Sequence, residues 1–156
     1  MALLLVLAQG ILLAVITALP RRAHWPVPKA LRRAGYLGMA AGSCLAAAGA
    51  ASLERGLTAL PLPNDRAQLR TGGLYRWVRH PIYSGLLIGS AARAATSGNR
   101  WGLVTFVALA GLLTGKTSFE ERHLRARFPD YGGYADRTPR FIPRLRPEQL
   151  PVHSDE

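Results

Sequence analysis

The sequence predicts an all-α integral-membrane protein with about four transmembrane helices, a helical hairpin formed by the third and fourth, and a cytosolic C-terminal helix. Three observations carry this expectation. Met1 to Pro20 and Ala34 to Leu53 are each free of charged side chains over 20 residues, close to the ~20 residues a helix needs to cross ~30 Å of hydrocarbon. The charged residues crowd between and after such runs, so mean hydropathy is only +0.08 although 49% of the residues are hydrophobic. Prolines and turn residues fall where the apolar runs end: Pro20, Pro61 and Pro63, Ser97-Gly98-Asn99, and Pro129.

The first helix is expected over Ala2 to Leu19. The run lacks a basic n-region and no Ala-x-Ala-like site closes it, so it reads as a retained helix, not a cleaved signal. The second is expected over Ala34 to Leu53. Gly38, Gly42, Ala46 and Ala50 recur in it at a four-residue step, and small residues at that spacing let a neighbouring backbone approach closely. Packing within one bundle is the favoured use of this stripe; a dimer seam is the alternative.

Leu57 to Leu69 is a connector, and a short polar and aromatic segment follows from Arg70 to His80. Pro81 suits the first turn of a third helix, running to the turn at Ser97-Gly98-Asn99. Its one charge, Arg93, is expected to snorkel to the nearer interface. The fourth helix runs from Trp101 to about Phe119, with Lys116 near the opposite interface. Glu120 to Phe128 continues or bends from it, and Pro147 onward is a solvated tail. The whole chain, 1–156, is thus one membrane domain: two N-terminal helices (1–57), a core (58–143) and a tail (144–156).

A formal net charge of +11, from 20 Lys plus Arg against 9 Asp plus Glu, would suggest nucleic acid in a soluble protein. Here it reads as juxtamembrane arginine meeting lipid headgroups, with the bilayer as partner and no nucleic acid. With four spans and both termini cytosolic, the loops on the cytosolic side and the C-terminal segment carry about twice as many Lys and Arg as the far side, so the active face is expected in the cytosol. The basic loop between helices one and two opposes this. The single cysteine, Cys44, has no partner for an internal disulfide and is expected to be a buried inert thiol, and no metal site is expected. Oligomeric state is left open.

Two segments hold the chemistry. The first is Leu69-Arg70-Thr71-Gly72-Gly73-Leu74-Tyr75-Arg76-Trp77-Val78-Arg79-His80-Pro81-Ile82-Tyr83-Ser84-Gly85. Gly72 and Gly73 allow a ligand to approach the main chain. Tyr75, Trp77, His80 and Tyr83 bring four rings to a membrane interface; an aromatic belt accounts for Trp and Tyr there but not for His beside Pro at a helix start. That helix start offers free N–H groups and partial positive charge to a carboxylate. The second segment is Lys116-Thr117-Ser118-Phe119-Glu120-Glu121-Arg122-His123-Leu124, followed by Phe128, Tyr131 and Tyr134. On a helix Glu120 and Glu121 point ~100° apart, so one faces a pocket and the other solvent. Glu121, with Arg125 four residues on, suits a solvated pair. Glu120 is therefore expected to face the bundle and to hold an ammonium group.

These segments, with the ending Arg140-Phe141-Ile142-Pro143, resemble the isoprenylcysteine carboxyl methyltransferase family. Its bacterial relatives and the phosphatidylethanolamine N-methyltransferases share the C-terminal half. The resemblance covers about Thr58 to Pro143 and rests on Arg-His-Pro-x-Tyr with a downstream Glu-Glu. It implies a membrane methyltransferase using S-adenosylmethionine, with no Rossmann fingerprint. By resemblance Gln68, Leu69, Arg70 and Tyr75 line the cofactor pocket, and His80, Pro81, Ile82 and Tyr83 complete it. Glu120 contacts the cofactor, and Gly73 and Glu121 are counted with this set. Lys116 falls where eukaryotic members carry a substrate-contacting arginine; lysine keeps the charge without the planar fork, which leaves the prenylcysteine substrate open.

A sulfonium methyl is already electrophilic and a carboxylate already nucleophilic, so the expected enzyme needs alignment and exclusion of water more than a catalytic triad. The expected acceptor is a carboxylate or other nucleophile on a lipophilic molecule. Prenylated peptide, isoprenoid acid, phospholipid amine and xenobiotic are all compatible. Two other readings stand beside it: an NADPH-dependent reductase of the sterol-reductase type, for which the chain is small, and a non-catalytic membrane protein of the same fold.

Overall fold

The structure, a computed structural model, describes residues 2–21, 24–53 and 69–143. The connector expected over Leu57 to Leu69, apart from Leu69 itself, lies outside these residues, as do Gln68 and the tail beyond Pro143. Among the described residues there are five α-helices and no strand: α1 (Ala2–Ala18), α2 (Lys29–Leu53), α3 (Pro81–Thr96), α4 (Arg100–Arg127) and α5 (Tyr131–Arg137). A 3-10 turn, Gly73–Arg76, precedes α3.

Two helices, α2 at 25 residues and α4 at 28, are long and apolar enough to cross a membrane. The apolar α1 has 17 residues and α3 has 16. Leu3, Leu4, Leu7, Leu37, Val104 and Val107 all point outward and are more than half exposed. An outer surface of this kind is stable against hydrocarbon and a liability in water.

α2 starts at Lys29, five residues before the charge-free run, because Lys29, Arg32 and Arg33 are exposed on its first turns and cost the helix nothing there. α3 starts at Pro81, whose fixed φ and missing N–H suit a first turn. The turn into α4 is closed by Gly98 at φ 63° and by Asn99, whose side chain accepts from the Trp101 N–H at 3.1 Å. α3 and α4 form the expected hairpin. α4 then runs unbroken through Glu120 to Arg127, and Pro129 stops it.

α3 packs along α2 on one side and against α4 and α1 on the other. The seam between α2 and α3 is made by glycine. A Cβ on Gly42 would lie 2.5 Å from the Gly85 carbonyl oxygen and 2.6 Å from the Gly89 nitrogen, and Gly35 and Gly49 meet Thr96 and Ile82 in the same way. The small-residue stripe thus packs inside the bundle.

One expectation fails here. Cys44 is exposed, on a part of α2 turned away from that seam. Arg93 reaches toward the end of α1. Its guanidinium donates to the carbonyls of Leu19 at 2.5 Å and Thr17 at 3.2 Å, capping the last turn of α1, where orphan carbonyls and the helix dipole favour a cation. Asn99 adds a bond to the Pro20 carbonyl.

Candidate active site

The end of the bundle away from the 97–99 turn gathers both chemical segments. Tyr75, in the 3-10 turn that Gly73 opens at φ 59°, donates its hydroxyl to the Gly49 carbonyl of α2 at 3.2 Å. Burial pushes the Tyr75 phenol up to about 12. After α5 the chain doubles back in extended form. The Arg79 and His80 N–H groups donate to the carbonyls of Pro139 at 2.8 Å and Arg140 at 3.1 Å, and the Ser84 hydroxyl donates to the Phe141 carbonyl. The Arg-Phe-Ile-Pro ending therefore lies against the Arg-His-Pro-x-Tyr segment.

Glu121 is the centre of this arrangement, and it is buried, not solvated beside Arg125 as its spacing suggested. Its carboxylate accepts from Arg79 Nε at 3.1 Å and Nη2 at 3.0 Å, and from Arg140 Nε and Nη2 at 3.1 and 2.8 Å. His80 Nε2 approaches Oε1 at 3.2 Å. Because an ionised carboxylate only accepts, that ring nitrogen carries the proton. Glu121 in turn raises the affinity of the Arg140 guanidinium for its proton. The second Arg79 nitrogen, Nη1, donates to the Ala135 and Thr138 carbonyls. One carboxylate thereby clamps α3, α4, α5 and the C-terminal segment together.

Glu120, the neighbouring residue, makes a different contact. Tyr83 donates its hydroxyl to Oε1 at 2.5 Å, and His80 Nδ1 lies 3.7 Å from Oε2. The His80 and Tyr83 rings, one helical turn apart, stack at 5.7 Å with 10° between their planes. His80 thus stands between the two carboxylates. Lys116, one turn before Glu120, holds its ammonium 5.1 Å from the centre of the Tyr83 ring and donates to Gln9 Oε1 at 2.9 Å. It is 2% exposed, and the bond to Gln9 ties it to α1, inside the bundle.

The other expected site residues fall around this core. Leu69 packs on the cluster of Tyr131, Tyr134 and Ala135. Arg70 is exposed nearby in the chain. Pro81 and Ile82 face α2 at Gly49. Tyr134 donates to the Tyr75 carbonyl at 2.6 Å, and burial raises its phenol too. Tyr131 is 1% exposed with a hydroxyl that finds no partner among the described residues, and burial pushes it up to about 12. Arg79 and Arg140 stand in the motifs quoted from the sequence but were given no role there, and Gln9 was not singled out. Gln9 carried a signal, being an amide in the middle of an otherwise apolar run. Among the described residues no three His, Cys, Asp or Glu side chains are grouped as metal ligands.

An all-helical apolar bundle with a carboxylate, histidine and tyrosine site at one end defines the general class, a membrane enzyme. The profile of the phospholipid methyltransferase family matches residues 31–131, from the first turn of α2 to the start of α5. The chain belongs to the phospholipid methyltransferase family, membrane methyltransferases whose members use S-adenosylmethionine.

Among similar proteins, an uncharacterized protein of Schizosaccharomyces pombe is 32% identical over 92 residues, 54% of this chain and 26% of that protein. The cobalt-zinc-cadmium resistance protein CzcN of Cupriavidus metallidurans is 37% identical over 78 residues, 49% of this chain and 36% of its own. The chain thus spans well under half the length of these curated relatives. No solved structure matches it.

The donor set suits such a cosubstrate. Glu121 has its oxygens fully engaged by arginine and histidine, whereas Glu120 accepts one short bond and keeps acceptor capacity for an ammonium.

Proposed function

We propose that this chain is an S-adenosylmethionine-dependent methyltransferase working at the membrane interface on a lipophilic acceptor. A carboxylate is the favoured nucleophile, as the resemblance to the isoprenylcysteine carboxyl methyltransferases implies. The observation that carries the reading is the meeting of His80 and Tyr83, at the start of α3, with Glu120 and Glu121, far along α4, within hydrogen-bonding reach.

When bound, S-adenosylmethionine supplies an electrophilic methyl. The residues supply binding and alignment. Glu120 accepts the ammonium of the methionine portion. The first turn of α3, with its partial positive charge, faces the carboxylate. Gly73, with Leu69, Arg70 and Tyr75, lines the pocket together with Pro81 and Ile82. Lys116 meets the acceptor. Glu121 holds the wall in shape through Arg79 and Arg140. Three lysine and arginine side chains surround the two carboxylates, so the site carries excess positive charge. Such a site favours an anionic acceptor over a protonated amine. No group need act as a base if the acceptor is a carboxylate.

Calorimetry on detergent-purified protein should show S-adenosylmethionine binding; binding of NADPH in its place would overturn the reading. Incubating membranes with methyl-labelled S-adenosylmethionine should label a lipid-soluble ester, and a labelled amine would move the acceptor to phospholipid. For topology we infer four spans with both termini and the site on the cytosolic face, since the Glu120–Glu121 end carries the larger share of lysine and arginine. A tag-accessibility assay should find both ends cytosolic, and termini on opposite sides would refute this.

A further inference from the structure

We propose that Gln9, on α1, is a positioning residue that aims the Lys116 ammonium, making α1 a wall of the acceptor side of the site. The inference rests on the methyltransferase reading for its purpose but not for its geometry. α1 lies outside residues 31–131, which match the family, so nothing in that match assigns it a part.

α1 is an apolar helix with two polar side chains, Gln9 and Thr17. Thr17 bonds back to its own helix, to the Leu13 and Ala14 carbonyls. Gln9 instead receives the Lys116 ammonium at 2.9 Å across 107 residues of sequence. A half-buried amide and a buried ammonium are both costly in an apolar bundle, and pairing them offsets much of that cost. The pairing also fixes direction. A lysine has a flexible four-carbon stem, and Gln9 holds its end over the Tyr83 ring, whose hydroxyl bonds Glu120. A continuous polar path therefore runs from Gln9 through Lys116 and Tyr83 to Glu120 and His80. Its α1 end is the end remote from the Glu121 clamp. The acceptor class that such a fixed ammonium recognises is an anionic headgroup, a carboxylate or a phosphate, on a molecule whose tail lies along α1.

The chain has only two lysines, and Lys29 is exposed at the start of α2, which gives an internal reference. The full chain in detergent is treated with an amine-acylating reagent and the two sites are followed by mass spectrometry. Wild-type Lys116 should react far more slowly than Lys29. Gln9→Leu should raise the Lys116 rate relative to Lys29 severalfold, and Gln9→Glu should restore the slow rate. At saturating S-adenosylmethionine, Gln9→Leu should lower methyl incorporation into membrane lipid about tenfold, the size expected for one hydrogen bond to a charged group. Its affinity for S-adenosylmethionine should stay within about twofold. In a Lys116→Met background, Gln9→Leu should cause no further loss of methyl incorporation. An unchanged Lys116 rate in Gln9→Leu, or equal losses in both backgrounds, overturns the inference. A wild type that neither binds S-adenosylmethionine nor transfers methyl overturns the functional reading, and the acylation rates then still decide the role of Gln9.

Discussion

Replacing each of the paired glutamates by glutamine separates the two roles assigned to them. Glu121 accepts from four nitrogens of two guanidinium groups and faces His80. Arg79 is 10% exposed and Arg140 40% exposed. The Arg140 pair, well solvated, is worth at most ~1 kcal/mol. The Arg79 charge, left buried beside a neutral amide, dominates; removing one partner of a buried pair costs ~3–5 kcal/mol. Glutamine keeps one acceptor oxygen, so the lower end applies, about 3 kcal/mol. For a domain of this length that lowers Tm by roughly 6–12 °C. Glu120 sits in a looser set of contacts, and Glu120→Gln should leave Tm within about 3 °C. It should weaken S-adenosylmethionine binding by about tenfold to a hundredfold, the value of one charge-assisted bond at ~1.5–3 kcal/mol. Thermal melting in detergent and calorimetry on the same preparations measure both. Equal Tm values for the two variants, or a larger loss of affinity in whichever variant melts lower once both are measured well below Tm, would refute the division of labour.

Two glycines on different faces give opposite outcomes. Gly42→Ala forces a Cβ into backbone atoms of Gly85 and Gly89 and should cost more than ~2 kcal/mol and scatter α2 from α3, whereas Gly111→Ala meets nothing within 4 Å and should stabilise α4 by up to ~1 kcal/mol; circular dichroism melts distinguish them. The tyrosines predict alkaline instability. Tyr75 and Tyr131 ionise near 10 when unfolded and at about 12 in the fold, so between those values the folded state binds more protons and stability falls as pH rises. Tyr131→Phe, which also removes an unpartnered buried hydroxyl, should melt no lower than wild type at neutral pH and show a shallower loss of stability from pH 10 to 12. A lower Tm at neutral pH would mean that the hydroxyl has a partner.

Much of the scaffold was legible because its causes are local. Pro81 sets a helix start by its own φ, Ser97-Gly98-Asn99 turns by its own torsions and cap, and the small residues of α2 announce a close approach whatever the neighbour is. The two segments that meet were legible for a related reason: unusual residue types in a short stretch stand out wherever the segments lie. The start of α2 was misplaced by five residues because lysine and arginine continue a helix while looking like its end.

What sequence determined alone was the set of apolar spans, their breaks, and the two polar segments between which a site forms. That Glu121 is buried and clamped was decided only in three dimensions. The local rule paired Glu121 with Arg125, but Arg79 and Arg140 arrive from 42 and 19 residues away and hold it at shorter range in a drier place. Lys116 followed the same logic, since the amide that lets it stay buried belongs to a helix 107 residues earlier. Charge in an apolar bundle is placed by its partner, and a partner distant in the chain is visible only once the chain has folded.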